Sequence, residues 1–389
     1  MFDVVVVGGG PAGCAAARAC AGEGLSTLLV EEHAGIGIPV QCAGLLSLEA
    51  FRECGVSERS ILHRVYGARI VGNGGIEASF ADDRPRAYVV DRMVLDREMA
   101  EEAAGAGAQV MVKTTAAGIS GQTLTVRGPG GSRQIPFRML IAADGPRSSI
   151  ARMMGLARSP VHLAGIQAEL PCRVADERLV ELHPHASEDF FGWMIPSGKG
   201  RARVGLCGLS GVRSRFETFV SRFGATSLHL VTGTIPLGVM PRTFAGRTLF
   251  AGDAAGFAKP TSGGGIYTGV RSAKHAAGVA VQCCSEGRFA PSDLSRYEER
   301  WKADFGRDLA LGYRLFSLRR RLVPETIDAA IREIGSDAWV ACILAAGDMD
   351  RPGKLLREAM RRPACAGLLR AVLGSELRRI AYEKLTPLF

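Results

Sequence analysis

The chain has 389 residues, of which 47% are hydrophobic and 22% charged, as is ordinary for a globular protein with a core large enough for two or three domains. No uncharged apolar run reaches about 18 residues, which excludes a membrane-spanning helix from the prediction. The net charge is +9, and residues 296–389 alone carry 18 basic and 13 acidic side chains. This excess favours an anionic partner, either phosphate groups or an anionic membrane surface; a solvated basic face is the alternative interpretation.

The ten cysteines show neither a CxxC pair nor the His and Cys spacing of a zinc site. They are therefore predicted to be free thiols, and no metal is expected. The N-terminus has no basic segment before its first apolar run, so no signal peptide is predicted. These features predict a cytoplasmic protein, with peripheral contact at a membrane surface as a second option.

The first 31 residues have the pattern of a strand, a helix and a second strand. Phe2–Val7 is a short apolar run, typical of a parallel strand that is buried on both faces. Small residues over Ala12–Gly22 predict a helix, and Ser26–Glu31 predicts the second strand. Residues 8–13 (GGGPAG) form a GxGxxG motif directly between the first strand and the helix. This order predicts a dinucleotide-binding β-α-β unit.

Each glycine of the motif has its own predicted role. Gly8 allows the tight turn, Gly10 lets the backbone approach a pyrophosphate, and Gly13 lets the helix lie close to the strand. The free N–H groups and the positive end of the helix then face the phosphates. Glu31, at the end of the second strand, is placed to accept hydrogen bonds from the adenosine ribose hydroxyls.

Two aspartates follow later apolar strands. Asp144-Gly145 ends one such strand and Gly252-Asp253 ends another. Ligands of doubly wound sheets bind beyond the carboxyl ends of the strands, so an aspartate there can bond the ribityl hydroxyls of a flavin. The loop 260–266 then leads into a helix whose N-terminal amides would point at the N1/O2 edge of the flavin. The three motifs in this order predict FAD as the cofactor.

The remainder of the chain predicts a second, sheet-containing part and a helical end. Ala164–Gly208 alternates polar and apolar residues between Gly-rich turns, as antiparallel strands do, and the periodicity is helical from Ser292 onward. The predicted fold class is α/β: a Rossmann-type FAD-binding domain with an inserted antiparallel-sheet substrate domain and a helical C-terminal region. The predicted domains are 1–158 with 236–290 for FAD, 159–235 with part of 65–90 for the substrate sheet, and 291–389 for the helices.

The order of these motifs resembles the p-hydroxybenzoate hydroxylase-like FAD superfamily over residues 1–290. Within it, three stretches resemble the geranylgeranyl reductase family, which reduces isoprenoid C=C bonds: 39–44 (PVQCAG), 91–96 (DRMVLD) and 252–266 (GDAAGFAKPTSGGGI). The resemblance implies that the segment near Ala116 borders the adenine. It also implies FAD contacts at eight residues: Ala12, Glu31, Cys42, Ala43, Arg92, Asp253, Gly265 and Ile266.

The substrate-side signature of that family, PxxYxWxFP, is matched in part at residues 188–196. Trp193 and Pro196 are kept, while Phe191 replaces Tyr. Glu188 and Ile195 replace the first Pro and the Phe. Phe191, Trp193 and Pro196 are the predicted lining of a substrate cavity, with core packing as the other interpretation of Trp193. The departures from the signature leave the identity of the substrate open.

Cys42 lies in the irregular segment 36–44, which in this superfamily runs close to the isoalloxazine. It is the candidate catalytic residue, with three roles open: a backbone contact to the flavin, which we prefer, a small apolar filler, or a proton donor. His183 and His185 are two apart on a predicted strand. A metal site there would need a third ligand that the sequence does not offer.

The resemblance implies an FAD-dependent reductase that saturates C=C bonds of geranylgeranyl or other isoprenoid chains in lipids or lipid precursors, by hydride transfer from reduced flavin. Its substrate would be an isoprenoid lipid or a prenyl diphosphate, and no nucleic-acid partner is expected. NAD(P)H, a deazaflavin and a ferredoxin all stay open as electron donors.

Two alternatives to the reductase remain. One is an FAD-dependent aromatic or quinone-ring monooxygenase on the same scaffold, and the other is a non-catalytic lipid carrier that keeps FAD as a structural element. The basic C-terminal helices, with Arg319-Arg320-Arg321 and Arg361-Arg362, would cover the substrate cavity, rest on anionic lipid, or form a solvated face.

Overall fold

The computed structural model describes residues 1–171, 174–224 and 229–368. Cys172 and residues 369–389 of the predicted helical region lie outside these ranges. The strands are β1 (Phe2–Val7), β2 (Thr27–Val30), β3 (Leu45–Ser47), β4 (Ile61–Val65), β5 (Gly67–Val71), β6 (Glu77–Ala81), β7 (Ala87–Val90), β8 (Gln109–Met111), β9 (Thr115–Ser120), β10 (Thr123–Gly128), β11 (Gly131–Ala142), β12 (Val161–Pro171), β13 (Leu179–His183), β14 (Gly192–Gly198), β15 (Arg201–Gly208), β16 (His229–Leu237), β17 (Phe244–Ala245) and β18 (Thr248–Phe250).

The helices follow the same chain order. They are α1 (Pro11–Gly22), α2 (Leu48–Cys54), α3 (Arg92–Gly105), α4 (Ser149–Met153), α5 (Val212–Val220), α6 (Ile266–Glu286), α7 (Pro291–Trp301), α8 (Arg307–Arg319), α9 (Pro324–Ile334), α10 (Asp337–Ala346) and α11 (Pro352–Met360). Pro324 and Pro352 each occupy the first turn of a helix, where the missing N–H of proline costs nothing. In the part of the chain that the structure describes, no helix is both long and apolar enough to cross a membrane.

The chain divides into two compact units. The first consists of Met1–Ile61, Val90–Leu163 and Thr234–Ala310, and the second of Leu62–Val89, Ala164–Gly233 and, within the described residues, 311–368. Helix α7, which the predicted domains assign to the C-terminal region, therefore falls in the first unit. The reason is a pair of buried hydrogen bonds, from Tyr297 Oη to the Phe250 carbonyl (2.6 Å) and from Trp301 Nε1 to Thr243 Oγ1 (3.0 Å). The domain boundaries as a whole stay a prediction.

The first unit is built on a largely parallel sheet of order β17-β18-β11-β1-β2-β8. Strand β1 lies in the middle, parallel to both β11 and β2, and Val4–Val6 are fully buried. The apolar strand that was predicted to end at Asp144 is the second half of the long β11, whose first half pairs antiparallel with β10. Helix α1 packs against α3 and α6. A sheet of this kind brings the carboxyl ends of β1, β2 and β18 to one edge.

The second unit contains the predicted second sheet, with the order β16-β12-β15-β14-β13-β5-β6. Its described pairs are antiparallel apart from β13 with β5, which is parallel. Helix α5 covers one face, where Phe216 and Phe219 pack on Met194 and Val204. Trp193, next to Met194 on β14, therefore lies on the opposite face. Helix α5 was not predicted, because its nine residues lie within the segment 159–235 that was assigned to the substrate sheet.

Candidate functional site

The turn between β1 and α1 is closed everywhere except at Gly10. Gly8 has φ +103°, and a Cβ there would overlap the Ala143 carbonyl at the end of β11. A Cβ on Gly13 would overlap the Gly8 carbonyl oxygen. A Cβ on Gly10, in contrast, would meet nothing within 4 Å. The open space at the N-terminus of α1 is where a pyrophosphate would approach the backbone, so the residues fit a dinucleotide.

Glu31 is fixed beside this turn by three hydrogen bonds. Its Oε2 accepts the Gly9 N–H (2.6 Å), and its Oε1 accepts the His33 N–H (2.8 Å) and lies 2.6 Å from His33 Nδ1. The residue is 8% exposed. The role of His33 was not predicted, although its position two residues after Glu31 allows its imidazole to contact that carboxylate. Within the described residues Oε2 accepts a single hydrogen bond, so it can still accept from a ribose hydroxyl, and that role stays a prediction.

Arg92, the first residue of α3, lies between Asp96 on the same helix and Cys42 in the loop 36–44. Its guanidinium donates to both carboxylate oxygens of Asp96, over 2.9 and 2.8 Å, and it lies beside Cys42. Burial lowers the pKa of Arg92, but the neighbouring Asp96 and Cys42 outweigh burial and raise it above the ordinary value. Asp96 ends the 91–96 motif, and the sequence analysis assigned it no role. The i, i+4 spacing from an arginine on a predicted helix is the signal that identifies this ion pair.

Asp253 follows β18 and points toward the start of α6. A Cβ placed on Gly265 would lie only 2.7 Å from Asp253 Oδ1. Gly252 lets the end of β18 lie close to α1, because a Cβ added at position 252 would be only 2.9 Å from the Cβ of Ala12. The residue before α6 is Gly265, which has no side chain to occupy the amides of the first turn. The Asp253 carboxylate and the positive N-terminal end of α6 therefore lie on the same side, where a flavin ring and its ribityl chain would fit.

Burial raises the pKa of Asp253 to about 6, while the nearby Arg92 guanidinium acts in the opposite direction. A carboxyl with a raised pKa in the folded state contributes stability that is complete below its unfolded pKa of about 4 and is lost as the pH rises through about 6. At neutral pH the FAD-free protein thus holds a carboxylate that is partly desolvated, and this arrangement is typical of a binding site rather than of a structural core.

For the FAD-free protein, we expect Asp253→Asn to raise the unfolding free energy by about 3 kcal/mol near pH 8, where the buried Asp253 carboxylate is charged. Near pH 4 the carboxyl is protonated, so the same substitution should raise the unfolding free energy by less than about 1 kcal/mol. Urea unfolding at both pH values measures the difference. The same substitution should weaken FAD binding about tenfold, because a neutral acceptor replaces a charged one. An equal gain in stability at both pH values would show that burial of this charge is not the cause.

Asp144 is used differently from Asp253. Its Oδ2 accepts hydrogen bonds from Ser149 Oγ and the Ile150 N–H, both at 3.0 Å, and so holds the start of α4. Its Oδ1 is buried and has no partner among the described residues. The contact of Asp144 with the ribityl chain stays a prediction.

The site residues of the first unit form one connected set. Arg92 lies beside both Cys42 and Asp253, and a Cβ on Gly37, in the Cys42 loop, would be 2.9 Å from Met93 Cα. The segment near Ala116 joins through Glu31, whose carbonyl accepts the Thr114 N–H at 2.9 Å. Cys42 Sγ accepts the Gly44 N–H at 3.3 Å. The individual FAD contacts, including Ala43 and Ile266, stay predictions.

The predicted substrate residues lie in the second unit. Trp193 is half-buried, and its Nε1 donates to Oε1 of the buried Gln167 over 2.8 Å. Between the two, on β15, Gly205 leaves room for the indole, because a Cβ there would be 2.6 Å from Trp193 Cζ2. The Phe191 ring lies edge-on to that indole, with centroids 6.3 Å apart, and Pro196 is buried on β14. Gln167 was not identified from the sequence.

Three of the basic residues predicted in the C-terminal helices form hydrogen bonds or ion pairs within the protein. Arg319 donates to the carbonyls of Pro184 (2.7 Å), Ser187 and Phe190 (both 3.3 Å), and burial lowers its pKa. Arg320 pairs with Asp189 at 3.2 Å, and Arg362 with Glu358 at 3.0 Å. Arg319 and Arg320 thus tie α8 to the 184–190 loop, because the loop carbonyls need donors.

The two histidines do not converge. His183 Nε2 lies 3.2 Å from Glu181, while His185 Nε2 lies 2.7 Å from Asp328 on α9. His183 also packs edge-on against Phe219. Each imidazole therefore has its own carboxylate partner within the second unit.

The parallel sheet, the open turn at Gly10 and the acid after β2 define a dinucleotide-binding domain. The family model described as "FAD binding domain" matches residues 1–234. Digeranylgeranylglycerophospholipid reductase 2 of Methanothermobacter thermautotrophicus is 35% identical over 360 residues, which cover 86% of this chain and 91% of that protein. The chain belongs to the digeranylgeranylglycerophospholipid reductase family.

Solved structures of other flavoproteins have a similar fold. The crystal structure of a geranylgeranyl bacteriochlorophyll reductase-like protein from Thermoplasma acidophilum has a TM-score of 0.84 at 26% identity and covers 95% of this chain and 99% of its own. A p-nitrophenol 4-monooxygenase from Pseudomonas putida has a TM-score of 0.71 at 19% identity, covering 89% and 97%, and shares the fold alone. The predicted fold class, the FAD cofactor and a flavin-dependent oxidoreductase are confirmed, and the reductase is favoured over the monooxygenase.

Proposed function

We propose that this enzyme saturates the C=C bonds of the geranylgeranyl chains of a glycerophospholipid. The observation that carries the proposal is the reach of the likeness to the Methanothermobacter reductase. It extends over 360 residues, so it includes much of the second unit, with the predicted substrate residues, as well as the FAD-binding part. A likeness confined to the FAD-binding part would support only a flavoprotein.

When bound, reduced FAD supplies a hydride to one carbon of the double bond. The chain holds the cofactor through the open turn at Gly10, through Glu31 and through Asp253, and the first-turn amides of α6 stabilise negative charge. The second carbon receives a proton. Cys42, beside Arg92, is kept as the proposed flavin contact, with proton donation as its alternative role.

An isoprenoid double bond is not polarised, so its reduction passes through positive charge on a tertiary carbon. Aromatic faces stabilise such charge, and an apolar cavity excludes the water that would trap it. Phe191 and Trp193 supply two adjoining rings on the face of the second sheet opposite α5. Because Gln167 fixes the indole nitrogen, the Trp193 ring is held in one orientation. We propose these rings as a wall of the prenyl site.

We expect Trp193→Leu to raise the KM for the prenyl lipid about tenfold, since a lost aromatic contact is worth about 0.5–1.5 kcal/mol beyond its area. Trp193→Phe keeps an aromatic face without the Gln167 hydrogen bond and should give an intermediate KM. Steady-state rates with both variants, at matched FAD content, measure the effect. Unchanged KM values for both would place Trp193 in the core instead.

Peripheral contact with a lipid surface belongs to the same proposal. Val323 and Met360 are 50% and 62% exposed, and each lies close in sequence to an exposed arginine, Arg321 or Arg361. Exposed apolar side chains beside cations suit an anionic bilayer, in which a lipid substrate would reside. The substrate should therefore be presented in anionic vesicles, and the fraction of enzyme that sediments with them recorded.

The function is tested by product analysis. Holoenzyme reduced with dithionite under anaerobic conditions is mixed with digeranylgeranyl glycerophospholipid in vesicles, and in parallel with geranylgeranyl diphosphate. We expect the lipid to gain two hydrogens for each double bond, as measured by mass spectrometry. A gain in the diphosphate alone would move the substrate to a lipid precursor. No gain in either, with oxygen entering an aromatic acceptor in air, would favour the monooxygenase.

A further inference from the structure

A long part of the first unit is almost free of acidic residues. Between Glu102 and Glu169 the only acid is Asp144, against seven lysines and arginines. Asp144 is turned inward onto the start of α4, and of the seven cations only Arg138 is neutralised by a carboxylate, Asp3, within the described residues. The excess of positive charge in this stretch is therefore not balanced locally.

Three of these cations surround the loop after β11. We call Arg147, Arg152 and Arg158 the arginine surface; all three are exposed, and none forms an ion pair with a carboxylate in the part of the chain that the structure describes. Arg158 Nη1 donates to the backbone carbonyl of Arg147 at 3.5 Å, so the Arg158 side chain reaches the loop that carries Arg147. Arg147 Nη2 itself donates to Thr234 Oγ1 at 3.5 Å. His162 Nε2 lies 3.2 Å from the adjoining Pro146 carbonyl. Exposed arginines without a carboxylate partner are suited to a surface that binds an anionic partner.

The arginine surface adjoins the FAD-binding turn. Its loop begins at Asp144, whose Cα is 2.9 Å from the position that a Cβ on Gly8 would take. Asp144 itself follows β11, the neighbour of β1 in the sheet. A partner docked on the arginine surface would therefore sit at the edge of the sheet where the cofactor binds.

The same loop is poorly suited to a free phosphate. The amides at the start of α4 are already occupied: Asp144 accepts the Ile150 N–H at 3.0 Å and Ser148 Oγ accepts the Ala151 N–H at 3.0 Å. The glycine-rich turn at residues 8–13 is assigned to FAD. The arginines are spread along an exposed loop and a short helix, where a broad acidic surface can meet all of them.

We propose that the arginine surface docks an acidic electron-carrier protein that reduces the bound FAD. The proposal rests on the reductase function, which consumes two electrons and two protons for each double bond. Two reduced one-electron carriers supply the electrons to FAD, and solvent supplies the protons. One proton becomes part of the hydride that reaches the first carbon, and the other is added to the second carbon. The carriers leave oxidised and the C=C bond becomes a C–C bond.

The test uses FAD-loaded enzyme and a reduced, acidic [4Fe–4S] ferredoxin as the probe, with anaerobic stopped-flow measurement of flavin reduction at low and high ionic strength. The variant is Arg147→Glu with Arg158→Glu. The control is Arg213→Glu with Arg222→Glu, two exposed arginines on α5 and just after it, which changes the net charge equally. A milder variant, Arg147→Gln with Arg158→Gln, guards against misfolding. FAD content and turnover with dithionite are recorded for every protein.

We expect the second-order rate with ferredoxin to fall at least about tenfold in the Glu variant at low salt, to fall less in the Gln variant, and to stay within about twofold in the control. The difference should shrink at high salt, where charges are screened. Equal rates in all four proteins, or no reduction of the wild type by ferredoxin, would overturn the proposal. The proposal would also be overturned if NADPH reduced the flavin of the wild type and did so more slowly in the Glu variant. That result would make the arginine surface a nucleotide site. If the wild type is reduced by ferredoxin but never saturates prenyl lipid, the reductase function fails while the docking surface stands.

Discussion

Gly13→Ala is expected to destabilise the FAD-free protein by about 1–3 kcal/mol or more and to abolish FAD binding, whereas Gly10→Ala is expected to weaken FAD binding without loss of stability. A methyl group at position 13 would overlap the Gly8 carbonyl, so either α1 or the turn must move. At position 10 it meets no protein atom within 4 Å, and the backbone angles, φ −75° and ψ −179°, suit alanine. The methyl group there would occupy only the space of the pyrophosphate.

A matched control is available at Gly22, the last residue of the same helix, where an added Cβ also meets nothing within 4 Å. Gly22→Ala should keep both stability and FAD affinity. Urea unfolding of the FAD-free proteins and titration with FAD give the two quantities. We expect Gly10→Ala to bind FAD roughly ten- to a hundredfold more weakly, which corresponds to about 1–3 kcal/mol. Full FAD affinity in Gly10→Ala would mean that the pyrophosphate lies elsewhere.

Arg92→Met is expected to lower the unfolding free energy by about 3–5 kcal/mol, because it leaves the Asp96 carboxylate buried without a counter-charge. The side chains of Arg92 and Asp96 are 14% and 6% exposed and share two hydrogen bonds. Removing Arg92 also removes the positive charge that partly offsets the effect of burial on the pKa of Asp253. Urea unfolding near neutral pH measures the loss.

Two controls separate the charge effect from lost packing. Arg92→Met combined with Asp96→Leu removes both charges and should recover most of the stability. Arg18→Met breaks a pair with Glu102 in which both side chains are about half-exposed, and it should change stability by no more than about 1 kcal/mol. If the single and double Arg92 variants are equally unstable, the ion pair is not the reason for the loss.

Local patterns were sufficient to predict the β-α-β unit at the start of the chain. β1 begins and ends where the run Phe2–Val7 predicts it, because its four consecutive buried valines are typical of a strand that is covered on both faces. The glycines of the first turn have roles that depend only on their immediate neighbours in a β-α-β unit. The fold class and the cofactor follow from these local rules.

Contacts between distant segments could not be predicted in the same way. Gln167 and Trp193 meet only because β12 and β14 both pair with β15, so nothing close to Gln167 in the sequence indicates its partner. Arg319 is part of an evident basic run, but these carbonyl partners lie 129 to 135 residues earlier in the chain. Helix α5 was missed because nine residues give too short a period to compete with the surrounding strands.

The most direct test of a flavin-dependent prenyl reductase is a single anaerobic absorbance trace. The holoenzyme is reduced with just enough dithionite, digeranylgeranyl glycerophospholipid is added, and the flavin absorbance is followed before any oxygen is admitted. We expect the lipid alone to reoxidise the flavin, with one double bond lost for each flavin oxidised. A flavin that stays reduced with the lipid and is reoxidised only by oxygen, with an oxygen atom passed to an aromatic acceptor, would contradict it.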